Sequence, residues 1–270
     1  MRSFAGLILF LITFTTTIQE AAWGIEPDEV REEVTGKLRA LSIRHSVEIQ
    51  ALRGSTSPES GLAIASEYVY KKYVNVLEKE LAIYPPGVLK KFGIKRILLC
   101  GGIKKFDQHF GGWTERLKGE IVYDAKRLTT NPDSPNTTAR LGIHHEIFHV
   151  LDDEIYFDRA RQAYSDPGWK AINQPGFVYY IFGGAKIDPI GIDHSVPGFL
   201  TGYSRHSIME DKAELFCWKI VRPDLVDRAR QTDEWLDRKN RRLEKIIKEF
   251  CPEIDDAFWG KRVAELECID

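Results

Sequence analysis

The sequence predicts an α+β fold with a small sheet, and three observations carry that prediction. Helical periodicity dominates both ends of the chain. Between them, residues 95–100 form a short apolar run and residues 120–124 a second short one, and both read as strands. A long connection rich in Gly, Pro and aromatic residues, 166–199, then separates two further helices. Helices and strands segregated in this way build an α+β layer arrangement rather than a parallel βαβ sheet.

Met1, Arg2 and Ser3 make a short basic start, and residues 4–14 are almost unbroken apolar. Ala22, Trp23 and Gly24 form a small-x-small site. This is the pattern of a secretory signal peptide over residues 1–24. The apolar run is well short of the ~20 residues that span a bilayer. Cleavage is therefore expected, leaving a secreted or periplasmic protein with no stable membrane anchor.

Residues 28–52 carry Val30, Val34, Leu38, Leu41 and Ile49 near a 3.6-residue period, broken by Gly54 and Pro58. They read as an N-terminal helical extension, 25–54, ahead of a single domain, 55–270. The extension has three open roles: a pro-segment, a docking arm or part of the domain. A second helix is expected from Glu59 to about Ala82, with the stripe Leu62, Ala65, Val69, Tyr73 and Val76, stopped by Pro85 and Pro86. Gly101–Gly102 and Gly111–Gly112 mark turns, and residues 129–136 a loop. A helix from about residue 136 to Asp153 follows. Another runs from near Ser207 to Val221, and two charged helical segments follow Pro223. Residues 228–249 read as a solvated amphipathic helix.

The 270 residues are 43% hydrophobic and 29% charged, an ordinary globular balance. The formal net charge of −2 provides no basic field for nucleic acid. A mean hydropathy of −0.30 excludes a polytopic membrane protein. The sequence sets no oligomeric state. Four cysteines, Cys100, Cys217, Cys251 and Cys268, allow three pairings. Cys251 with Cys268 is the favoured pair, against four buried thiols. No Cys-x-x-Cys occurs, which disfavours a thiolate zinc site.

The chemistry concentrates at His145-Glu-Ile-Phe-His149. On a helix, two His four apart share one face, one turn apart. Both imidazoles then reach one zinc ion, and Glu146 reaches a water on it. A catalytic zinc takes three protein ligands, so a third is expected downstream. Glu210 and Glu214 are four apart on the predicted helix, so one serves as ligand and the other as support. Ser207-x-x-Glu210 also reads as a helix capping box, which competes with ligation. Asp152 lies on the ligand face and is expected either to orient a ligand imidazole or to sit exposed near the helix end. His144 is expected to point away from the metal and His109 to be structural. His206 is a rival to Tyr203, and His194 is placed in the pocket loop.

His145 to Asp153, followed by Tyr203-Ser-Arg205 and Glu210-Asp-Lys-Ala-Glu214, resembles the catalytic domain of the anthrax lethal factor family and is similar to the Pro-Pro endopeptidases. The spacing from Tyr203 to Glu210 is that of lethal factor. The resemblance is strong over these two blocks and faint over roughly residues 60–250. Residues 169–179 are weakly similar to loops of such peptidases. Ile147-Phe148 departs from the family, where a small residue commonly precedes the second His. The resemblance implies a zincin-like metallopeptidase domain with zinc on His145, His149 and Glu210. It also implies Glu146 as general base, Tyr203 as oxyanion stabiliser and Glu214 behind a ligand. The expected function is a secreted zinc endopeptidase acting on a peptide or protein substrate. The strand at 120–124 is expected to be an exposed edge that pairs with it. Ile147, Phe148 and residues 169–182 are candidate pocket residues. The rivals are a zinc-stabilised binding protein using residues 166–200, and a zinc amidase acting on non-protein amide bonds.

Overall fold

The computed structural model describes residues 27–54, 60–129, 135–180, 192–193 and 195–267. The signal-peptide segment, residues 181–191, His194 and Cys268 lie outside the described residues.

The first helix, α1 (Pro27–His45), buries Val30, Val34, Leu38 and Leu41 on one face. Burying each side chain of this size contributes about 1.5–3 kcal/mol. The helix was expected to reach Leu52, but it stops at His45. Ser46 takes a left-handed φ of 54°, and Val47 N then donates to Ser42 O at 3.2 Å. Beyond the turn, Val47, Ile49 and Ala51 are buried alternately, a two-residue period. They belong to or lead into strand β1 (Glu48–Ala51), which pairs in parallel with β3 (Arg96–Cys100). Residues 27–51 therefore share a core with the rest of the chain.

Strand β2 (Leu62–Ala63) precedes α2 (Glu67–Ala82), so the helix begins later than its apolar stripe suggests. Leu62 is a strand residue opposite Ile103 of β4 (Gly102–Lys105). The short helix α3 (Val88–Lys91) leads into β3. β4 and β5 (Gln108–Phe110) form a hairpin whose two turn residues, Phe106 and Asp107, have φ of 49° and 59°. Two positive φ values match the twist of a tight hairpin.

The main sheet adds β6 (Gly112–Glu115) and β7 (Glu120–Asp124), in the order β1-β3-β7-β6. β7 is parallel to β3 and antiparallel to β6, with Trp113 opposite Val122. The expected exposed edge at 120–124 is thus corrected. β7 is interior, buried from Ile121 to Asp124, and β6 holds the edge.

After α4 (Ala125–Thr129), the long helix α5 (Pro135–Tyr156) carries the His145–His149 motif. Ile147 and Phe148, the residues that depart from the family pattern, are buried. The Phe148 ring lies 4.9 Å from that of Phe216 on α7 (Ile208–Val221). Strands β8 (Phe157–Asp158) and β9 (Ala163–Tyr164) pair with each other, and α6 (Pro167–Lys170) starts the long connection. Three helices follow α7 where two were expected: α8 (Pro223–Arg230), α9 (Glu234–Phe250) and α10 (Asp256–Glu267). α9 is amphipathic, but its inner face buries Lys239 and Asn240 beside Leu236, Leu243 and Ile247.

Among the described residues no helix is long and apolar enough to cross a membrane. Cys100, Cys217 and Cys251 are buried and form no disulfide with one another.

His45 is fully buried at the end of α1, and neither ring nitrogen has a hydrogen-bond partner. Burial, aided by the charge of Arg44, pushes it down from 6.5 to about 4. The unfolded chain therefore takes up a proton that the folded chain refuses. Stability is expected to fall as pH drops from about 6.5 to about 4, and to lose nothing further from this group below that. His45→Leu should flatten the acid limb of a Tm-against-pH curve by on the order of 2 kcal/mol. An unchanged limb would refute this origin.

Candidate functional site

α5 presents His145 and His149 one turn apart, and α7 presents Glu210 and Glu214 in the same way. Where the two helices pack, three atoms converge. His145 Nε2 lies 3.0 Å from Glu210 Oε2 and 3.1 Å from His149 Nε2. His149 Nε2 lies 3.4 Å from Glu210 Oε2. Ligands around a tetrahedral zinc at 2.0–2.1 Å stand about 3.3 Å apart, so the triangle has the required size.

The fourth member sits behind the triangle. Glu214 Oε1 is 3.0 Å from His145 Nδ1, and Glu214 Oε2 accepts from Thr201 Oγ1 at 2.8 Å. A proton on Nδ1 shared with Glu214 turns the Nε2 lone pair toward Glu210 and His149. Three lone pairs facing one another repel unless a positive charge sits between them. The titration of the site expresses the same demand. Burial opposes a charged His145, but hydrogen bonds with Cys217, Glu210 and Glu214 outweigh it and hold the imidazole well above its ordinary range. Burial likewise opposes ionised Glu210, yet His149 and His145 pull it well below the usual carboxylate range. The donor set of two imidazoles and a carboxylate fits a zinc ion.

The other expected residues fall around this centre. Glu146 Oε2 accepts a 2.6 Å hydrogen bond from Thr114 Oγ1 on β6. A Cβ at Gly112 on the same strand would lie 2.6 Å from the Glu146 carboxylate, so glycine leaves the room that Glu146 occupies. Tyr203, in a 3-10 turn (Tyr203–Arg205), stands with its ring 5.9 Å from that of His145. The charge of Glu210, then burial, raises its hydroxyl above the usual range, so it remains a proton donor. The His206 ring is 5.0 Å from Tyr203 on the other side. Ser207 Oγ caps α7 by accepting from Glu210 N at 3.2 Å, while the Glu210 carboxylate turns to the imidazoles. Capping and site geometry therefore coexist. His144 points away, between Tyr84 OH at 2.7 Å and Glu80 at 2.9 Å. His109 is exposed on β5.

Asp152 does not orient a ligand imidazole, nor is it exposed. Lys212 Nζ takes its Oδ1 at 2.8 Å, and Tyr164 OH takes its Oδ2 at 2.6 Å. A buried ammonium is a stronger attractor than a neutral imidazole. The long connection is also anchored beside the centre. Trp169 Nε1 and Tyr179 OH both donate to Asp211 Oδ2 at 2.8 Å, and Lys239 Nζ reaches the same oxygen at 2.7 Å. Sequence reasoning missed Thr114, Thr201 and Asp211. Only Asp211, inside the Glu210–Glu214 block, stood next to a recognisable signal.

No family profile matches the chain, and no curated protein is similar to it. Among solved structures it is similar to a putative zinc-binding metallo-peptidase from Bacteroides caccae ATCC 43185, with a TM-score of 0.56. The likeness covers 89% of this chain and 94% of the other, at 15% identity. The two chains share a fold. At this identity the likeness speaks for the fold, and the lethal factor resemblance stays confined to its two short blocks.

Glu214→Ala removes the acceptor behind His145 and is expected to weaken zinc uptake by about 10–100-fold. Competition with a chromophoric chelator measures this, and unchanged uptake would show that the carboxylate does not hold the imidazole in place.

Proposed function

We propose that this protein is a secreted zinc-dependent endopeptidase, with zinc on His145, His149 and Glu210. The convergence of three donor atoms within 3.4 Å, backed by Glu214, carries the reading. Among the described residues this centre groups three donors, while Glu214 and Cys217 stand on the other side of the His145 ring. Structural zinc sites are closed by four protein ligands, whereas catalytic ones keep a place open. The Glu146 carboxylate, held by Thr114, has no use in a purely structural site. Export rests on the signal-peptide pattern of residues 1–24.

Zinc bound here supplies a Lewis acid and a water acidified to a pKa of about 7. Glu146 accepts a proton from the attacking water and passes it to the leaving amine. Thr114 holds the carboxylate in position for both transfers. Tyr203 donates its phenolic proton to the developing oxyanion. Glu214 and Thr201 keep His145 in one orientation throughout. The substrate adds a strand to the free edge of β6, which carries both Gly112 and Thr114 and so runs directly past Glu146.

Glu146→Gln should retain zinc and lose about 10²–10⁴-fold in turnover of a peptide library. Equal cleavage by mutant and wild type would overturn the mechanism, and turnover of cell-wall peptides alone would favour an amidase. Tyr203→Phe is expected to lower kcat by about 10²-fold with little change in KM. Strand addition predicts that N-methylation of backbone amides flanking the scissile bond raises KM, and an unaffected KM would count against pairing at β6.

A further inference from the structure

The two helices that carry the donor atoms meet a second time, one step further along. Asp152 lies three residues past His149 on α5, and Lys212 lies two residues past Glu210 on α7. The Lys212 ammonium is 1% exposed and is held on every side. It donates to Asp152 Oδ1 at 2.8 Å and to Tyr164 OH at 2.9 Å. It forms an ion pair with Asp166 Oδ2 at 2.7 Å and stands 3.8 Å above the centre of the Tyr156 ring. Tyr164 OH in turn donates to Asp152 Oδ2 at 2.6 Å. Asp166 Oδ1 accepts from Trp169 N at 2.9 Å and from Arg242 Nη2 at 2.8 Å. Two cations, Lys212 and the partly exposed Arg242, thus face two carboxylates.

We infer that Lys212 is a positioning residue for the proposed zinc centre. Bonded to Asp152, it fixes how far α7 slides and turns against α5, and so where Glu210 stands relative to His149. The inference rests on the zinc reading above. Apolar packing such as Phe148 on Phe216 holds the helices together but tolerates small sliding motions. A buried ion pair with directed hydrogen bonds does not, and buried pairs are best attested as devices that fix register. Metal ligands must be held to within about 0.5 Å, which gives the register its importance. Lys212 itself takes no part in the reaction, because its buried ammonium is spent on Asp152, Tyr164 and the ion pair with Asp166.

The test is a paired substitution, Lys212→Met with Asp152→Leu, which removes both partners and keeps the volume filled. Arg242 still pairs Asp166, so no lone carboxylate is left buried. Cobalt(II) serves as probe in the full-length protein. The expected result is a 10–100-fold weaker cobalt affinity and an altered visible d–d spectrum. Val34→Ala on α1, away from both helices, should lower Tm with no change in affinity or spectrum. Should the paired variant fail to fold, Tyr164→Phe removes one contact from Lys212 and one from Asp152. It is expected to weaken cobalt binding about threefold, a small fraction of the loss expected of a ligand-orienting contact. Wild-type affinity and spectrum in the folded variant would overturn the inference, whatever happens to Tm. A wild-type protein that takes up no cobalt or zinc would instead overturn the zinc reading, and this inference with it.

Discussion

The contact between α5 and α7 is the constraint on which the site depends. Neither helix holds a complete donor set. α5 contributes two imidazoles and α7 two carboxylates, and only their packing makes a triangle with a supporting acid behind it. His145 stands at the middle of this arrangement, with one ring nitrogen toward Glu214 and the other toward Glu210. Its two bonds divide labour between adjacent turns of one helix, four residues apart. A helix is well suited to this task because its 3.6-residue turn stacks such side chains on one line. Apolar residues on neighbouring positions, Ile147, Phe148 and Phe216, bury the seam from which the polar group rises.

A second principle runs through the buried charges near the centre. Lys212 and Lys239 are both buried, and each is met by aspartate and aromatic rings. Asp211 gathers Lys239, Trp169 and Tyr179 on one oxygen, tying the irregular connection to the helix that bears Glu210. A long loop with little secondary structure loses much conformational entropy on ordering. Buried hydrogen bonds to a charged acceptor offset that loss better than neutral ones.

The sequence spoke clearly where a physical period coincided with a chemical need. His145 and His149, and Glu210 and Glu214, were legible because a helix imposes their spacing. The apolar stripes of α1 and α2 were legible for the same reason, but their ends were not. Ile49 satisfies both a helical and a strand period, and Leu62 fits the stripe of the helix that follows it. The edge was assigned to β7 because that strand comes shortly before the helix bearing His145 and His149. β6, with a glycine, a threonine and a glutamate among its four residues, has little strand character of its own, and it forms through pairing with β7. Thr114 and Thr201 gave no signal, since a hydroxyl becomes informative only once its acceptor is known. Asp152 was placed on the correct face of its helix but with the wrong partner, because a lysine in a charged helix is ordinarily read as solvated.

The first strand has a consequence of its own. A leading stretch of this length can be a detachable pro-segment or docking arm. Here that stretch is woven into the scaffold. β1 lies alongside β3 from Glu48 to Ala51, and α1 covers the core with four apolar side chains. Excising residues 27–51 would bare the flank of β3 and unroof the interior, so this segment is a structural part of the domain and not a detachable arm.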